Sequence, residues 1–405
     1  MNKALLAWQR ISAAPHRGMF LAGALQGVAT LLWWVFNLSG NNNVAGAAPV
    51  WAHAFLMIYA FFPFFIFGFL FTTYPNWMNA KKIPPQHALA ATLPMTAGVA
   101  LFYLGLAMGK PVAVAGVATL LAGWGVALYA LLRVLFSAPH QDKRHPVVTS
   151  VALLFGWLGM AAYLLWQLTG QAMLLNFART AGIWFFLLPV IMTVSHRMIP
   201  FFSSRVLNNY IIVRPYWILW LMLACTAGHG ILQLREARAY LWLFDLPLAA
   251  CALYLSFAWG LLRSLQVSLL TVLHIAFAWL GLAMLMFGAQ SLAFFVSDGK
   301  LVWFGLAPLH ALTIGYFASM VLGMATRVTL GHSGSPLVLD KLTWLLFVGL
   351  QGSALIRVLA DIVPTAHLAP SLYLLSGLIW LASFTPWAAH YAPNYWRPRA
   401  DGKPD

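Results

Sequence analysis

The apolar positions of this chain form long continuous runs instead of alternating with polar ones. A transmembrane α-helix needs about 20 predominantly apolar residues, and twelve runs meet that length. The predicted spans are 18–38, 51–73, 88–109, 111–136, 147–168, 172–195, 215–233, 239–263, 266–288, 301–326, 342–360 and 366–388. Turn-forming residues such as Asn41–Asn43 and Ile83–Pro85 lie in the breaks. The pattern predicts an all-α integral membrane protein, a polytopic bundle of twelve transmembrane helices.

Composition agrees with this pattern and leaves no room for a soluble domain. Of the 405 residues, 62% are hydrophobic and 8% are charged, whereas soluble domains are about 25% charged. The polar gaps between the runs are too short to fold alone. We therefore expect a single transmembrane domain over 1–405, with short cytoplasmic tails at 1–17 and 389–405.

The basic residues predict the orientation of the helices. Because the net charge of +15 is spread over short loops, it indicates membrane topology and no nucleic-acid partner. If the N-terminus is inside, six of the 23 Lys+Arg lie outside: Lys110, Arg179, Arg235, Arg238, Lys300 and Arg357. The other 17 lie on the cytoplasmic side. Since Lys and Arg are in excess in cytoplasmic loops, both termini are predicted to be cytoplasmic.

Acidic residues are too scarce for an ordinary ion-coupled transporter. The chain has 8 Asp+Glu, and Asp245 alone falls within a predicted span. Proton and ion pathways in membranes usually use acidic residues that face the bundle interior. The sequence also lacks a P-loop and a GxGxxG motif, which argues against chemistry on ATP or NAD.

Histidines are the most informative polar residues of the spans. Neutral imidazole binds copper and iron, and haem b needs one or two axial histidines. At a rise of about 1.5 Å per residue, His274 is expected about 12 Å into span 9 and His310 about 14 Å into span 10. Both would then lie near the midplane of antiparallel neighbours, where one cofactor could meet both or two adjacent cofactors could take one each. The alternative is an interhelical hydrogen bond.

Four further histidines near the span ends are weaker candidates for metal ligands. His53 and His229 are near the outer ends of spans 2 and 7, His196 is at the inner end of span 6, and His332 follows span 10. The remaining six are expected to be interfacial or solvated: His16, His87, His140, His145, His367 and His390.

Two cationic patches are candidates for contact with haem propionates. One is Ser195-His196-Arg197 and the other is Thr326-Arg327. The alternative for both is anchoring at the positive inner side of the membrane.

Four segments of the chain carry a family pattern. They are Gly68–Trp77, Arg197–Phe202, Leu273-His274, and the stretch from His310 to Gly334 that contains His310–Gly315 and Met324–Gly334. Together they resemble the NnrS family of bacterial nitric-oxide-response membrane proteins, over residues 15–390. The stretch from His310 to Gly334 is the longest and most specific of these matches.

The resemblance implies a bacterial inner-membrane protein with haem b and copper, linked to denitrification and to resistance against nitrosative stress. With the positions of the histidines and the two cationic patches, this gives the candidate cofactor-binding residues His53, His274, His310, His196, Arg197 and Arg327. The candidate metal ligands are His53, His274, His310, His229 and His332. Its partners would be a small gaseous or nitrosyl ligand, the lipid bilayer and an unidentified membrane electron donor.

The chain departs from the family pattern in span 2. The family motif there typically reads His-Ala-His, whereas this chain has His53-Ala54-Phe55. The first histidine carries over to His53 and the second is absent. A two-histidine metal clamp on that span is therefore called into question.

Two functions are compatible with these features. The first is a haem- and copper-binding protein that binds or metabolises nitric oxide or related reactive nitrogen species, with haem- or copper-dependent oxidoreductase activity left open. The second is a non-catalytic membrane permease or carrier for a metal or a metal–nitrosyl species. Cofactor content separates the two.

We expect His53→Ala to lower the metal content of the purified protein more than His367→Ala, because His53 alone sits at the family motif. Iron and copper counts per protein chain are the measurement. Equal losses in the two variants would contradict the assignment of the outer histidines.

Overall fold

The computed structural model describes residues 3–40, 49–363 and 368–402, so Asn41–Asn43 and His367 lie outside the described residues. These ranges are helical and contain no strand, and twelve of their helices are long and apolar enough to cross a membrane. The twelve are α1 Pro15–Leu38, α2 Pro49–Trp77, α3 Pro85–Met108, α4 Lys110–Ser137, α5 Arg144–Thr169, α6 Ala172–Ser204, α7 Tyr216–Leu234, α8 Arg238–Ala258, α9 Ser268–Val296, α10 Ala307–Ser333, α11 Lys341–Ile362 and α12 Ala369–Tyr395. The predicted fold class is confirmed, and the orientation of the termini stays a prediction.

The helix ends differ from the predicted spans most clearly between α9 and α10. α9 runs on to Val296 instead of 288, and α10 begins at Ala307 instead of 301. Gly305 has a φ of +51°, which is left-handed backbone that glycine adopts easily. Pro308 then lies in the first helical turn, where its missing N–H costs no hydrogen bond. Hydropathy does not detect this break, because 301–306 is apolar without being helical.

Contacts between residues divide the chain into two compact units. Unit 1 comprises Met1–Leu187, Ala325–Pro336 and Thr385–Asp405. Unit 2 comprises Leu188–Met324 and Leu337–Phe384. The expectation of one domain over 1–405 stays a prediction.

Unit 1 depends on close packing through glycine. α3 and α4 approach so closely that a Cβ on Gly98 would overlap the backbone of Leu120, and one on Gly105 would overlap Ala113. In lipid, apolar burial no longer drives helices together, so small residues that let the backbones approach supply much of the attraction. The α3–α4 hairpin is therefore a firm element of this unit.

Unit 2 is joined by a hydrogen-bonded chain across three helices. The indole Nε1 of Trp279 on α9 donates to Oε1 of Gln351 on α11 at 2.8 Å. The Nε2 of Gln351 in turn donates to Oγ of Ser319 on α10 at 2.8 Å. Such bonds contribute about 0.6 kcal/mol each in membrane proteins. They fix the lateral positions of α9, α10 and α11.

We expect Gly98→Ala to lower the melting temperature of the detergent-purified protein by several degrees, since overpacking costs about 1–3 kcal/mol. The matched control is Gly352→Ala in α11, where an added Cβ would meet no atom within 4 Å. The control should be neutral or slightly stabilising, because alanine favours helix more than glycine does. Indistinguishable melting temperatures for the two variants would contradict the close approach of α3 and α4.

Candidate metal centres

The two nitrogens of the His310 imidazole differ in their hydrogen bonding. It is the fourth residue of α10, and its Nδ1 lies 3.0 Å from the carbonyl oxygen of Leu306. Because a carbonyl only accepts, Nδ1 carries the proton and Nε2 keeps the lone pair. Metal-ligating histidines are usually oriented in this way, with one ring nitrogen anchored and the other directed at the metal. His310 is therefore prepared for ligation through Nε2.

The structure places His274 and His310 at different levels of the α9–α10 pair. Gly315 of α10 packs directly against the indole of Trp279 of α9. His274 lies five residues before Trp279, and His310 lies five residues before Gly315. Because the two helices run in opposite directions, these two offsets add up to ten residues. The two histidines are therefore about 15 Å apart along the pair at 1.5 Å per residue. Since metal–nitrogen bonds are about 2 Å long, one ion cannot bind both, and the expected common depth is wrong.

His274 is held by a neighbouring helix. Its side chain is buried, and its Nε2 lies 3.0 Å from Oγ of Ser203 on α6. This geometry is the interhelical hydrogen bond that the sequence left open as an alternative. A metal at Nε2 of His274 would have to displace the Ser203 hydroxyl.

A buried carboxylate orients the imidazole of His229. Nδ1 of His229 on α7 and Oδ1 of Asp245 on α8 are 2.5 Å apart, and both side chains are at most 1% exposed. The second oxygen of Asp245 has no hydrogen-bond partner among the described residues. Carboxylate–histidine pairs commonly orient metal ligands, with the proton on the anchored nitrogen. The pair is not visible in the sequence, because its members lie on different helices; the presence of Asp245 within a span is the signal that the sequence offers.

His53 and Phe55 occupy different surroundings in unit 1. The ring of His53 stacks on Trp34 of α1, with centroids 3.9 Å apart. Phe55 is buried between Phe102 and Tyr163, with ring centroids at 4.5 and 4.4 Å. Residues two apart on an α-helix point about 200° apart around its axis. Positions 53 and 55 therefore cannot clamp a single ion from α2, whichever residue stands at 55.

His332 forms a ring pair with His16. It lies in the last turn of α10, and the two imidazole centroids are 4.6 Å apart. His332 is exposed, whereas His16 is buried. His145, at the start of α5, is buried as well. His16 and His145 therefore pack against protein at helix ends and are not solvated, whereas an interfacial position stays a prediction.

The residues of the two cationic patches fall in separate units. His196 and Arg197 belong to unit 2, and Arg327 belongs to unit 1. His196 is buried, and its Nε2 lies 3.3 Å from the carbonyl of Pro215, just before α7. Arg197 and Arg327 are half-buried. Contact of either patch with haem propionates stays a prediction.

Two of the candidate histidines lie shortly before π-helical segments. The structure has such segments at Leu56–Phe61 in α2, Ala181–Leu187 in α6 and Ala311–Ala318 in α10. π-helical turns occur frequently at functional sites. One begins directly after His310 and another three residues after His53. Tyr59 and Tyr316, each six residues after its histidine, lie in these segments, and their hydroxyls hydrogen-bond to α6 at 2.6 and 3.1 Å.

The structure offers a metal individual histidines and no preassembled cluster of ligands among the described residues. In the described ranges, no group of three His, Cys, Asp or Glu side chains converges on a point where it could hold an ion. An iron in haem b already has four ring nitrogens and needs only one or two axial histidines. The chemistry of His310 therefore fits a haem ligand.

A comparison with known proteins agrees with the pattern of motifs. The family model described as NnrS protein matches residues 10–399, which is nearly the whole chain. No curated protein matches the sequence. The chain belongs to the NnrS family.

Proposed function

We propose that this protein is a haem- and copper-binding protein of the bacterial inner membrane that binds or metabolises nitric oxide or a related reactive nitrogen species. Its cellular role would be protection against nitrosative stress, in connection with denitrification. Membership of the NnrS family and twelve membrane-spanning helices support the proposal. The observation that carries it is the anchored imidazole of His310.

His310 would hold haem b through Nε2. The carbonyl of Leu306 fixes the tautomer and the ring plane of His310, so little conformational freedom is lost on ligation. Haem iron held at His310 would supply a metal to which nitric oxide can bind. The protein's own contribution is the orientation of the imidazole.

Copper would be held near the buried pair of His229 and Asp245. Asp245 orients His229, and Cys225 lies one helical turn before His229 on the same helix. Cys225 is also close enough to Asp245 to interact with it electrostatically. Imidazole and thiolate are both ligands that copper accepts. His229 and Cys225 are therefore the proposed donors.

The substrate requires no polar channel under this proposal. Nitric oxide is small and uncharged, so it can enter from the hydrocarbon layer. Any turnover would need electrons from a membrane donor and protons carried by water or histidine.

We expect the purified protein to show a Soret band and His310→Ala to lose most of it, because the axial ligand is removed. His140→Ala, a substitution in an exposed loop, is the control and should keep the band. The measurements are visible spectra of oxidised and reduced protein together with iron and copper counts. Colourless, metal-free protein would contradict the proposal and favour the carrier function.

We expect Asp245→Asn to lower copper content while leaving the haem band in place, because loss of an orienting carboxylate weakens metal affinity about 10–100-fold. Asp298→Asn, in an exposed loop, is the matched control. The retained Soret band reports that the variant is folded. Unchanged copper content in Asp245→Asn would contradict the assignment of copper to this pair.

A further inference from the structure

An arginine of unit 2 is held rigidly by two neighbours. Nη1 of Arg357 donates to Oδ2 of Asp361, one turn further along α11, at 2.6 Å. The guanidinium carbon also lies 4.1 Å from the ring centroid of Tyr373 on α12. Arg357 is 12% exposed and Asp361 is 7% exposed. A charge-assisted hydrogen bond and a cation–π contact in such partial burial keep the cation in one place.

The carboxylate of this group is itself fixed from α12. The hydroxyl of Tyr373 donates to Oδ1 of Asp361 at 2.5 Å. Both oxygens of Asp361 are thus engaged, one by each neighbour. Arg357 donates to Asp361 and also interacts with the hydroxyl of Tyr373, and a guanidinium has five N–H donors in all.

Arg357 lies beside His310, whereas Asp361 lies closer to the end of α11. Gly305, just before α10, is next to Asp361, since a Cβ built on Gly305 would be 3.7 Å from that of Asp361. The end of α11 is thus next to the start of α10, and the two helices run in opposite directions from there. Arg357, four residues before Asp361, therefore lies about 6 Å further along α10 than Asp361 does. That is close to the level of His310, and the two side chains interact electrostatically.

A fixed cation beside an oriented imidazole suits a negatively charged ligand. A neutral gas would gain little from a guanidinium, whereas an anion can accept charge-assisted hydrogen bonds from it. The planar fork of arginine matches two oxygens of one anion, as it does in carboxylate recognition. The ligand class is therefore a small planar oxyanion.

We propose that His310 and Arg357 form one binding site for a small oxyanion of nitrogen, such as nitrite, with a metal on Nε2 of His310 and the guanidinium of Arg357 acting together. This inference rests on the proposed haem at His310. Asp361 and Tyr373 are positioning residues that keep the guanidinium in place.

The test compares anionic with neutral ligands of the haem-loaded protein. Soret titrations with nitrite and azide report anion binding, and titration of reduced protein with carbon monoxide reports binding of a neutral ligand. In Arg357→Gln we expect the Kd for both anions to rise about tenfold or more, because a hydrogen bond to a charged group is lost. The carbon monoxide affinity should stay within about twofold, since no charge is involved.

Two variants and one control distinguish a charge effect from damage to the fold. Arg357→Lys should recover part of the anion affinity, because lysine restores the charge without the planar fork. Tyr373→Phe should weaken anion binding less than Arg357→Gln does, because it removes one contact to the guanidinium and leaves the guanidinium in place. Arg235→Gln, at an exposed arginine of the same unit, should change nothing.

Unchanged anion affinity in haem-loaded Arg357→Gln would overturn the inference and leave the proposed function intact. An equal loss of azide and carbon monoxide binding would also overturn it, since that result indicates a structural role. Absence of haem from the unmodified protein would overturn both the inference and the proposed function.

Discussion

A hydrocarbon layer supplies no hydrogen bonds, and under this constraint the polar groups best held in these helices are those that the protein itself satisfies. In unit 2 the constraint produces the bonded chain from Trp279 through Gln351 to Ser319, which joins three helices. It also accounts for the anchoring of His310 on a carbonyl of its own chain and of His229 on Asp245. In each case a side chain of the helices finds a hydrogen-bond partner within the protein.

The same constraint prepares histidines for ligation. An imidazole has two nitrogens, and a single acceptor such as the Leu306 carbonyl satisfies only the one that carries the proton. The second nitrogen then keeps a lone pair within an apolar layer, where a metal is a suitable partner. His274 differs because Ser203 engages its Nε2. Burial alone therefore does not mark a ligand; the identity of the anchoring partner does.

Hydropathy was sufficient to predict the fold class, because it sums the transfer free energies of about 20 residues at a time. It could not predict local backbone stops such as Gly305 and Pro308, which moved the start of α10 and with it the depth of His310. Nor could it identify lateral neighbours. The partnership of His229 with Asp245 and the burial of His16 depend on contacts between separate helices.

We propose that imidazole nitrogen binds the metals of this protein, with iron at His310. X-ray absorption at the iron and copper edges of the purified protein tests it directly. The account predicts a nitrogen shell at about 2.0–2.1 Å around iron with the multiple scattering of imidazole, and loss of that imidazole signal in His310→Ala. Absence of iron, or an iron shell of oxygen or sulfur without imidazole, would contradict the account.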